Sequence, residues 1–277
     1  MISFRVDKCI NHTIRHTKIQ KYLHKCKFFR TFASKIIYSF QIMTQNEIKQ
    51  IRSLRLKKFR DEFSLFVAEG DKCISELSQS FTIVHHITSA DTPKKEIVRL
   101  SSLQTPQGSI AVFRKPCYTL PEPAANTLYL ALDGIQDPGN LGTIIRTADW
   151  FGIRDIICSS NTADCFSPKV VQATMGALAR VRVHYTDLIQ WISSCKNTDI
   201  PVYGTLLTGK NIYTPDAIPS KQSGIIVMGN EGNGISTAVR RLITHSLRIP
   251  SFPPDEPTSE SLNVAIATAV ILAEFRR

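Results

Sequence analysis

Residues 224–234 read Gly-Ile-Ile-Val-Met-Gly-Asn-Glu-Gly-Asn-Gly, an apolar run that passes directly into a loop of glycine, asparagine and glutamate. The apolar half is short and begins and ends at glycine, a pattern typical of a buried β-strand. Gly229, Gly232 and Gly234 leave the loop backbone free to turn sharply and to approach a ligand closely. Glu231 is the single carboxylate among them, so it is either a turn residue or a working group of a site.

Five further apolar runs of similar length determine the fold class of residues 127–277. We predict strands at 128–132, 155–158, 181–184, 202–206, 224–228 and 246–249. We predict helices near 140–151, 168–174, 187–195, 236–243 and 263–275. Short strands that alternate with helices indicate an α/β fold with a parallel sheet and helices on both faces. Ligands bind such sheets at the carboxyl ends of the strands, so the residues after each strand are the candidate site residues.

Residues 43–114 predict a smaller α/β module with strands at 65–68, 82–87 and 109–113. Thr44 and Glu47 have the spacing of a capping box at the start of a helix. A basic face follows, formed by Lys49, Arg52, Arg55, Lys57, Lys58 and Arg60. This face is either a solvated helix surface or a contact surface for RNA phosphates. The proline-rich residues 115–126 have the composition of a semi-rigid linker, so we predict one module at 43–114 and a second domain at 127–277. The smaller module shows no catalytic cluster, so we expect it to have a binding role.

The net charge of +11 is concentrated at the N-terminus. Residues 1–42 carry nine lysines and arginines against Asp7 alone, whereas residues 43–277 carry 25 basic and 22 acidic residues, a net of +3. Charge by itself is therefore weak evidence for a nucleic-acid partner. Residues 1–42 have three interpretations: a translated stretch upstream of a start at Met43, an RNA-binding arm, or a transit-peptide-like segment.

Cysteine usage and hydropathy indicate the compartment. The seven cysteines include no C-x-x-C pair, and no histidine lies near Cys158 and Cys165 at the spacing of a zinc site. We therefore expect reduced thiols, a cytoplasmic protein and no bound metal. The longest apolar run is shorter than the roughly 18 residues that a membrane span needs, so we expect no membrane partner.

Polar groups follow three of the predicted strands. They are Asn140 and Arg146 after 128–132, Glu231 after 224–228, and Ser261 and Asn263 after 246–249. Asn140 is suited to cap the helix that follows it, and each of the others has a plain alternative as a cap, turn or surface residue. The patterns G-x-G-x-x-G and G-K-[ST] are absent, as are a Ser-His-Asp order and a pair of catalytic carboxylates. The residues alone predict a site for a polar or anionic ligand.

The segment before the last predicted helix and the helix itself are both unusual. The helix at 263–275 is apolar on nearly every side, which predicts that its own domain or a partner subunit buries it. The proline-rich, acidic stretch at 251–258 either alters access to the site or is a tolerated surface insertion.

Three segments in order resemble the signature motifs of the SpoU (TrmH-like) RNA 2′-O-ribose methyltransferases of the SPOUT superfamily. They are Asn140-Leu-Gly-Thr-Ile-Ile-Arg146-Thr-Ala, residues 226–236, and Ile249-Pro250 followed by Ser261-Leu-Asn-Val-Ala265. The resemblance covers residues 44–277, and the Thr105-Pro-Gln-Gly108 turn is similar to that of the family's substrate-binding domain. The stretch between Pro250 and Ser261 is longer than the family usually shows.

This resemblance implies an S-adenosylmethionine-dependent enzyme that methylates a ribose 2′-hydroxyl of RNA, with ribosomal RNA favoured over transfer RNA. It also implies a C-terminal trefoil knot and a homodimer packed through the knot region and the last helix. The implied catalytic residues are Arg146, Asn140, Glu231, Ser261 and Asn263, with Glu231 holding Arg146. The implied cofactor-binding residues are Thr205, Met228, Gly229, Gly234, Ile249, Pro250, Leu262 and Asn263. An RNA-binding protein that keeps this fold without activity is the rival from another class.

Overall fold

The computed structural model describes residues 44–90, 92–194, 199–253, 256, 259 and 261–277. The interpretations of residues 1–42 lie outside the described residues, and the insert at 251–258 is described only in part. Residues 44–277 form one compact unit. No helix in this described part is long and apolar enough to cross a membrane.

The smaller module combines four helices with a three-stranded antiparallel sheet. Its elements are α1 (Gln45–Ser53), α2 (Lys57–Phe63), β1 (Leu65–Glu69), α3 (Asp71–Leu77), β2 (Ile83–Thr88), α4 (Lys94–Leu100) and β3 (Ser109–Arg114). The strands pair in the order β1-β3-β2. The predicted capping box is confirmed, since the Thr44 hydroxyl accepts from the Glu47 amide and the Glu47 carboxylate accepts from the Thr44 amide. The basic face, however, is divided between two helices, because the chain turns between α1 and α2.

The larger sheet confirms the predicted parallel α/β architecture. Its six strands are β4 (Leu128–Asp133), β5 (Asp155–Ser159), β6 (Arg182–Thr186), β7 (Val202–Asn211), β8 (Gly224–Gly229) and β9 (His245–Arg248). They run parallel in the order β6-β5-β4-β8-β7-β9. The accompanying helices are α5 (Pro138–Trp150), α6 (Pro168–Thr174), α7 (Leu188–Ser193), α8 (Thr237–Arg240) and α9 (Val264–Arg276). Every residue of β4 and β8 is buried, as expected for central strands covered on both faces.

The start of α5 differs from the prediction that Asn140 caps it. Asp137 is the N-cap, and its carboxylate accepts a hydrogen bond of 2.8 Å from the amide of Asn140. Pro138 takes the first helical position, where its fixed φ and missing N–H are tolerated. Asn140 therefore lies inside the first turn, and its side chain is not needed for capping.

Strand β7 is longer than predicted because it contains an irregularity. Its register with β9 shifts between Thr205 and Lys210, so residues 206–209 leave the regular pairing. A Cβ at Gly209 would lie 2.4 Å from the carbonyl carbon of Leu247, so only glycine allows the strand to return this closely to β9.

Helices α5 and α9 run side by side. At one end Asn263 donates to Asn140, and at the other Arg276 Nε donates 2.9 Å to the carbonyl of Phe151. The predicted start of the last helix is confirmed, since Asn263 caps α9 by accepting from the amides of Ala265 and Ile266. Its own domain buries only part of α9, since Ile266 is 54% exposed, so burial of the remaining face by a partner subunit stays a prediction.

Candidate active site at the carboxyl ends of β4 and β8

Two loops meet where β4 and β8 end. Asp133 and Gly229 are paired across the two strands, so the loops that follow them begin side by side. The carboxylate of Asp133 accepts 2.7 Å from the amide of Ser236, and Asn230 Nδ2 donates 2.7 Å to the carbonyl of Gly134. Each loop is thus held by a side chain of the other strand end.

The glycine-rich loop closes on itself. Asn230 and Gly234 exchange two backbone hydrogen bonds of 2.9 Å, and Gly234 has a φ of +66°. A Cβ at Gly229 would lie 2.2 Å from the carbonyl carbon of Gly234. Gly229 is therefore required by the packing of its own loop, and the close approach we expected for a ligand at this Cα is taken by the backbone of Gly234 and Ile235. The open side of the loop is at Gly234, where a Cβ would have no neighbour within 4 Å.

Glu231 receives hydrogen bonds from the loop after β4. Its carboxylate accepts from Asn140 Nδ2 at 3.0 Å and from the amides of Asp137 and Gln136 at 3.2 and 3.3 Å. Burial by itself raises the pKa of Glu231, but these hydrogen bonds outweigh it and the pKa lies below its ordinary value. Glu231 is therefore ionised and is hydrogen-bonded to the N-terminus of α5, where a negative charge is favourable.

Asn140 extends these hydrogen bonds to the last helix. Its Oδ1 accepts 2.9 Å from Asn263 Nδ2, while its Nδ2 donates to Glu231. Asn263 Oδ1 is in turn occupied by the capped amides of α9. In both side chains the amide oxygen accepts from a donor and the amide nitrogen donates to an acceptor, which fixes the orientation of the two amides. Glu231, Asn140 and Asn263 thus form one hydrogen-bonded chain, which we call the clamp.

Arg146 does not take part in the clamp, contrary to the expectation that Glu231 holds it. Among the described residues no hydrogen bond or ion pair joins Arg146 to Glu231 or to another carboxylate. The reason is helical geometry: six residues after Asn140, the helix has turned by about 240° and advanced about 9 Å. Arg146 lies on the exposed face of α5, with its guanidinium available to a ligand or partner.

Among the expected cofactor residues, Thr205 and Met228 lie at the open edge of β8, where its pairing with β7 stops. Pairing between β7 and β8 stops at Gly204 and Val227, so the last two residues of β8 continue without a β7 neighbour. Thr205 Oγ1 crosses this gap, donating 3.1 Å to the carbonyl of Val227 and lying 3.6 Å from Met228 Sδ. Leu262 is 49% exposed. The partly buried Ile249 and Pro250 follow β9, and the exposed Ser261 precedes the cap of α9 without a side-chain bond to a described residue.

Three residues that organise the site were not among the predicted site residues. Asp133 is a buried carboxylate at the end of β4, Asn230 joins the two loops, and Asp137 caps α5. Asn230 also accepts from the amides of Gly232 and Asn233, an arrangement typical of asparagine in turns. The sequence signal for Asn230 was an asparagine beside three glycines. Asp133 gave no local signal, because its partner Ser236 lies 103 residues away.

Among the residues that the structure describes, no group of three or more His, Cys, Asp or Glu side chains is placed to hold a metal ion. A cleft lined by Arg154, Lys221, Gln222 and Arg276 lies at the amino ends of the strands, at the opposite edge of the sheet. The polar groups that converge are those at the carboxyl ends.

Comparison with known proteins matches both parts of the chain. The profile of the SpoU rRNA methylase family matches residues 127–273, and that of the MRM3-like substrate binding domain matches residues 45–97. The 23S rRNA (guanosine(2553)-2′-O)-methyltransferase RlmP of Bacillus subtilis is 30% identical over 246 residues, which cover 83% of this chain and 96% of that protein.

Two solved structures share the arrangement. A putative RNA methyltransferase of the TrmH family from Porphyromonas gingivalis is 40% identical, with a TM-score of 0.77 over 85% of this chain and 99% of that one. The AdoMet-bound rRNA methyltransferase from Sinorhizobium meliloti is 32% identical, with a TM-score of 0.74 over 84% and 95% of the two chains. The similarity therefore includes the smaller module as well as the parallel sheet.

Replacing Glu231 with glutamine tests the clamp. We expect the free energy of unfolding at pH 7 to fall by about 1 kcal/mol, since an amide lacks the charge that three donors share and the site is partly screened by solvent. The folded pKa lies below the ordinary 4.5, so this stabilisation is complete above pH 4.5 and is lost as the pH falls through the folded pKa. Urea denaturation at several pH values measures the difference between the two proteins.

The control for this experiment is Glu62→Gln, on the exposed surface of α2. Its effect should stay within about 0.5 kcal/mol at every pH, as for most surface substitutions. Equal losses of unfolding free energy for the two substitutions at pH 7 would show that the hydrogen bonds of Glu231 do not stabilise the fold.

Proposed function

The chain belongs to the SpoU rRNA methylase family, and we propose that it transfers the methyl group of S-adenosylmethionine to a ribose 2′-hydroxyl of ribosomal RNA. The observation that carries this proposal is the clamp, because it joins residues of all three signature segments at one edge of the sheet. A merely similar fold would not require these particular side chains to meet. The exposed Arg146 lies further along the helix whose first turn the clamp fixes.

The open edge of β8 fits S-adenosylmethionine. The gap between β7 and β8 leaves the end of β8 without a strand neighbour on that side, and Leu262 exposes an apolar wall near the start of α9. We assign cofactor contacts to Thr205, Met228, Gly229, Gly234, Ile249, Pro250, Leu262 and Asn263. The cofactor supplies a methyl group on a sulfonium sulfur, which is already activated for transfer.

In the proposed transfer the methyl carbon would pass to the ribose 2′-oxygen, with a carbon–oxygen bond forming, the carbon–sulfur bond breaking and the hydroxyl proton leaving to water. Arginine stays protonated in proteins, so Arg146 is a poor base. We assign it to a phosphate of the substrate and to the 2′-oxygen, where its fork of donors orients the ribose and stabilises the charge that develops. No carboxylate of the described part competes for it.

The clamp residues act on Arg146 indirectly. Glu231 and Asn140 fix the first turn of α5, and Asn263 fixes α9 against it. Arg146 is therefore held by the rigidity of its helix and not by a direct ion pair. Ser261 precedes the cap of α9 and, like Arg146, is exposed without a side-chain bond to a described residue, so it is available to substrate.

Ribosomal RNA is the favoured substrate class. Support comes from the name of the Bacillus subtilis relative, which specifies 23S rRNA, and from the match of the smaller module to a substrate binding domain. Transfer RNA is the runner-up, and an inactive RNA-binding protein is the rival of another class. The complete set of Asn140, Arg146, Glu231 and Asn263 argues against an inactive protein.

The trefoil knot is supported by the path of the last segment. Strand β9 lies at the far edge of the sheet, yet α9 packs beside α5, next to the central strands. The chain must therefore return across β7 and β8 after it leaves β9. This return is the element that the family's knot requires.

A cytoplasmic location also remains a proposal. The cysteines of the described part, Cys73, Cys117, Cys158 and Cys165, are all free. Burial raises the pKa of Cys73 to about 11, which makes its thiol unreactive. Unpaired thiols are typical of reducing compartments.

We also propose that a second copy of the chain packs on the exposed faces of α5 and α9. Trp150 of α5 is 85% exposed and Ile266 of α9 is 54% exposed, although both are large and apolar. The two helices that carry them run side by side. Exposed apolar surface of this kind marks a contact site.

Ile266→Glu should convert a dimer into a monomer, because a charge would be buried at the contact. Analytical ultracentrifugation at micromolar concentration measures the mass of both proteins. Leu207→Glu is the matched control, as Leu207 is 66% exposed but lies on β7. A wild-type protein that sediments as a monomer would contradict the proposal.

Arg146→Ala should lower kcat for methyl transfer by about 100-fold or more, because orientation of the ribose and stabilisation of its charge are lost together. The affinity for S-adenosylmethionine should change less than about twofold. Transfer of labelled methyl groups to ribosomal and transfer RNA measures kcat, and Arg154→Ala, an exposed arginine at the start of β5, is the control.

Three outcomes separate the alternatives. Label in ribosomal RNA that depends on Arg146 supports the proposal, and label in transfer RNA alone favours the runner-up. A wild-type protein that binds RNA but labels none of it is the inactive rival.

A further inference from the structure

Arg60 is a buried arginine at the junction between the smaller module and the larger sheet. Its side chain is 3% exposed, and its Nε and Nη2 donate to Asp164 Oδ2 at 2.9 and 2.6 Å. Its Nη1 donates 2.8 Å to the carbonyls of both Leu54 and Arg55. Asp164 is itself only 10% exposed. The charge is therefore both paired and hydrogen-bonded, as a buried charge must be.

The module end of this pair is the corner between α1 and α2. Arg60 was expected on the basic face, but it points inward and fixes the turn that joins the two helices. Arg55 also turns away, because its guanidinium donates to the carbonyl of Ser101 at the end of α4. Lys57 pairs with Asp61. The exposed cations left at this corner for RNA phosphates are Lys49, Arg52 and Lys58.

The other end of the pair lies in the segment after β5, which is bonded to the candidate active site. The amide of Ala163 donates 2.8 Å to the carbonyl of Ile135, and the amide of Gly134 donates 2.8 Å to Ser159 Oγ. The next amides, of Gln136 and Asp137, are those that hold Glu231. A continuous set of hydrogen bonds thus leads from the α1–α2 corner to the clamp.

A second connection joins the module to the far end of α5. Arg180 donates 2.6 Å to Glu76 of α3 and lies 2.9 Å from Asp149, three residues after Arg146. The rings of Phe166 and Phe66 also pack together across the junction, with their centroids 4.8 Å apart. The module is therefore fixed at both ends of the helix that carries Arg146.

We propose that Arg60 and Asp164 are positioning residues that set the distance between the RNA-docking corner of the module and the ribose site. This proposal rests on the proposed function. Buried ion pairs contribute little net stability compared with a well-packed apolar pair, so stability alone does not account for this one. What the pair supplies is a defined geometry between a surface that binds phosphates and a guanidinium that binds one ribose.

The consequence is a division between binding and chemistry. RNA held on Lys49, Arg52 and Lys58 presents its target ribose at a fixed distance from Arg146. If the pair is broken, the corner shifts and fewer bound RNA molecules place a ribose correctly. The KM for RNA then rises, whereas the cofactor site and the transfer step within a correctly bound complex are unchanged.

Two variants of the full chain test this division. Asp164→Asn keeps the oxygen that accepts from the amide of Phe166 but loses the charge that Arg60 requires. Arg60→Met with Asp164→Leu removes both charges, so neither is left buried without its partner. Each should raise the KM for the RNA that the wild type methylates by about tenfold. The kcat and the affinity for S-adenosylmethionine should stay within about twofold of wild type.

Matched controls distinguish positioning from loss of stability. Outside the junction, Arg182 donates two hydrogen bonds of 2.8 and 2.6 Å to Asp155. Arg182→Lys cannot form both of them, and the KM of this variant for RNA should equal that of the wild type. Arg52→Ala should raise the KM for RNA by removing a phosphate contact while the junction stays intact. Melting temperatures of all variants establish that they are folded.

The proposal is wrong if the folded double variant has a wild-type KM for RNA. It is also wrong if kcat, the KM for RNA and the cofactor affinity all change together, as a general loosening would cause. A wild-type protein without methyl transfer overturns the proposed function, and the positioning role falls with it. An active wild type with unaffected variants overturns the positioning role alone.

Discussion

The hydrogen-bonded clamp of Glu231, Asn140 and Asn263 is the interaction on which the site depends. Its three residues are separated by 91 and 123 positions in sequence, yet two side-chain bonds of 3.0 and 2.9 Å join them. The parallel pairing of β4 with β8 makes the first bond possible, and the return of the chain from β9 to α9 makes the second. The side-chain amide of Asn140 both donates and accepts without carrying a charge, so it can join a carboxylate to a second amide.

The clamp and Arg146 have different tasks, and their environments reflect this. Glu231 is surrounded by donors and stays ionised, so its charge is used inside the protein. Arg146 is exposed and has no carboxylate partner in the described part, so its charge remains available to a ligand. A direct ion pair between the two would have neutralised that charge. Rigid placement of Arg146 through α5 avoids that conflict.

Sequence patterns predicted the architecture well because it rests on local periodicity. Apolar strands between helices indicate a parallel sheet, and the capping residues Thr44 and Asn263 were identifiable from residue type. The errors concern contacts that no local pattern contains. Arg60 resembles its basic neighbours until Asp164, 104 residues away, buries it. Asn140 resembles a cap until Asp137 and Pro138 begin the helix earlier, and Gly209 acquires its role only beside Leu247.

The central claim is that Asn140 and Asn263 act as one unit that joins α5 and α9 at the proposed cofactor site. A double-mutant cycle on the free energy of unfolding tests this most directly, using Asn140→Ala, Asn263→Ala and both together in urea denaturation. Since the two side chains share a hydrogen bond in the folded protein, we expect a coupling free energy of about 1 kcal/mol. Losses of stability that add to within about 0.3 kcal/mol would contradict the clamp.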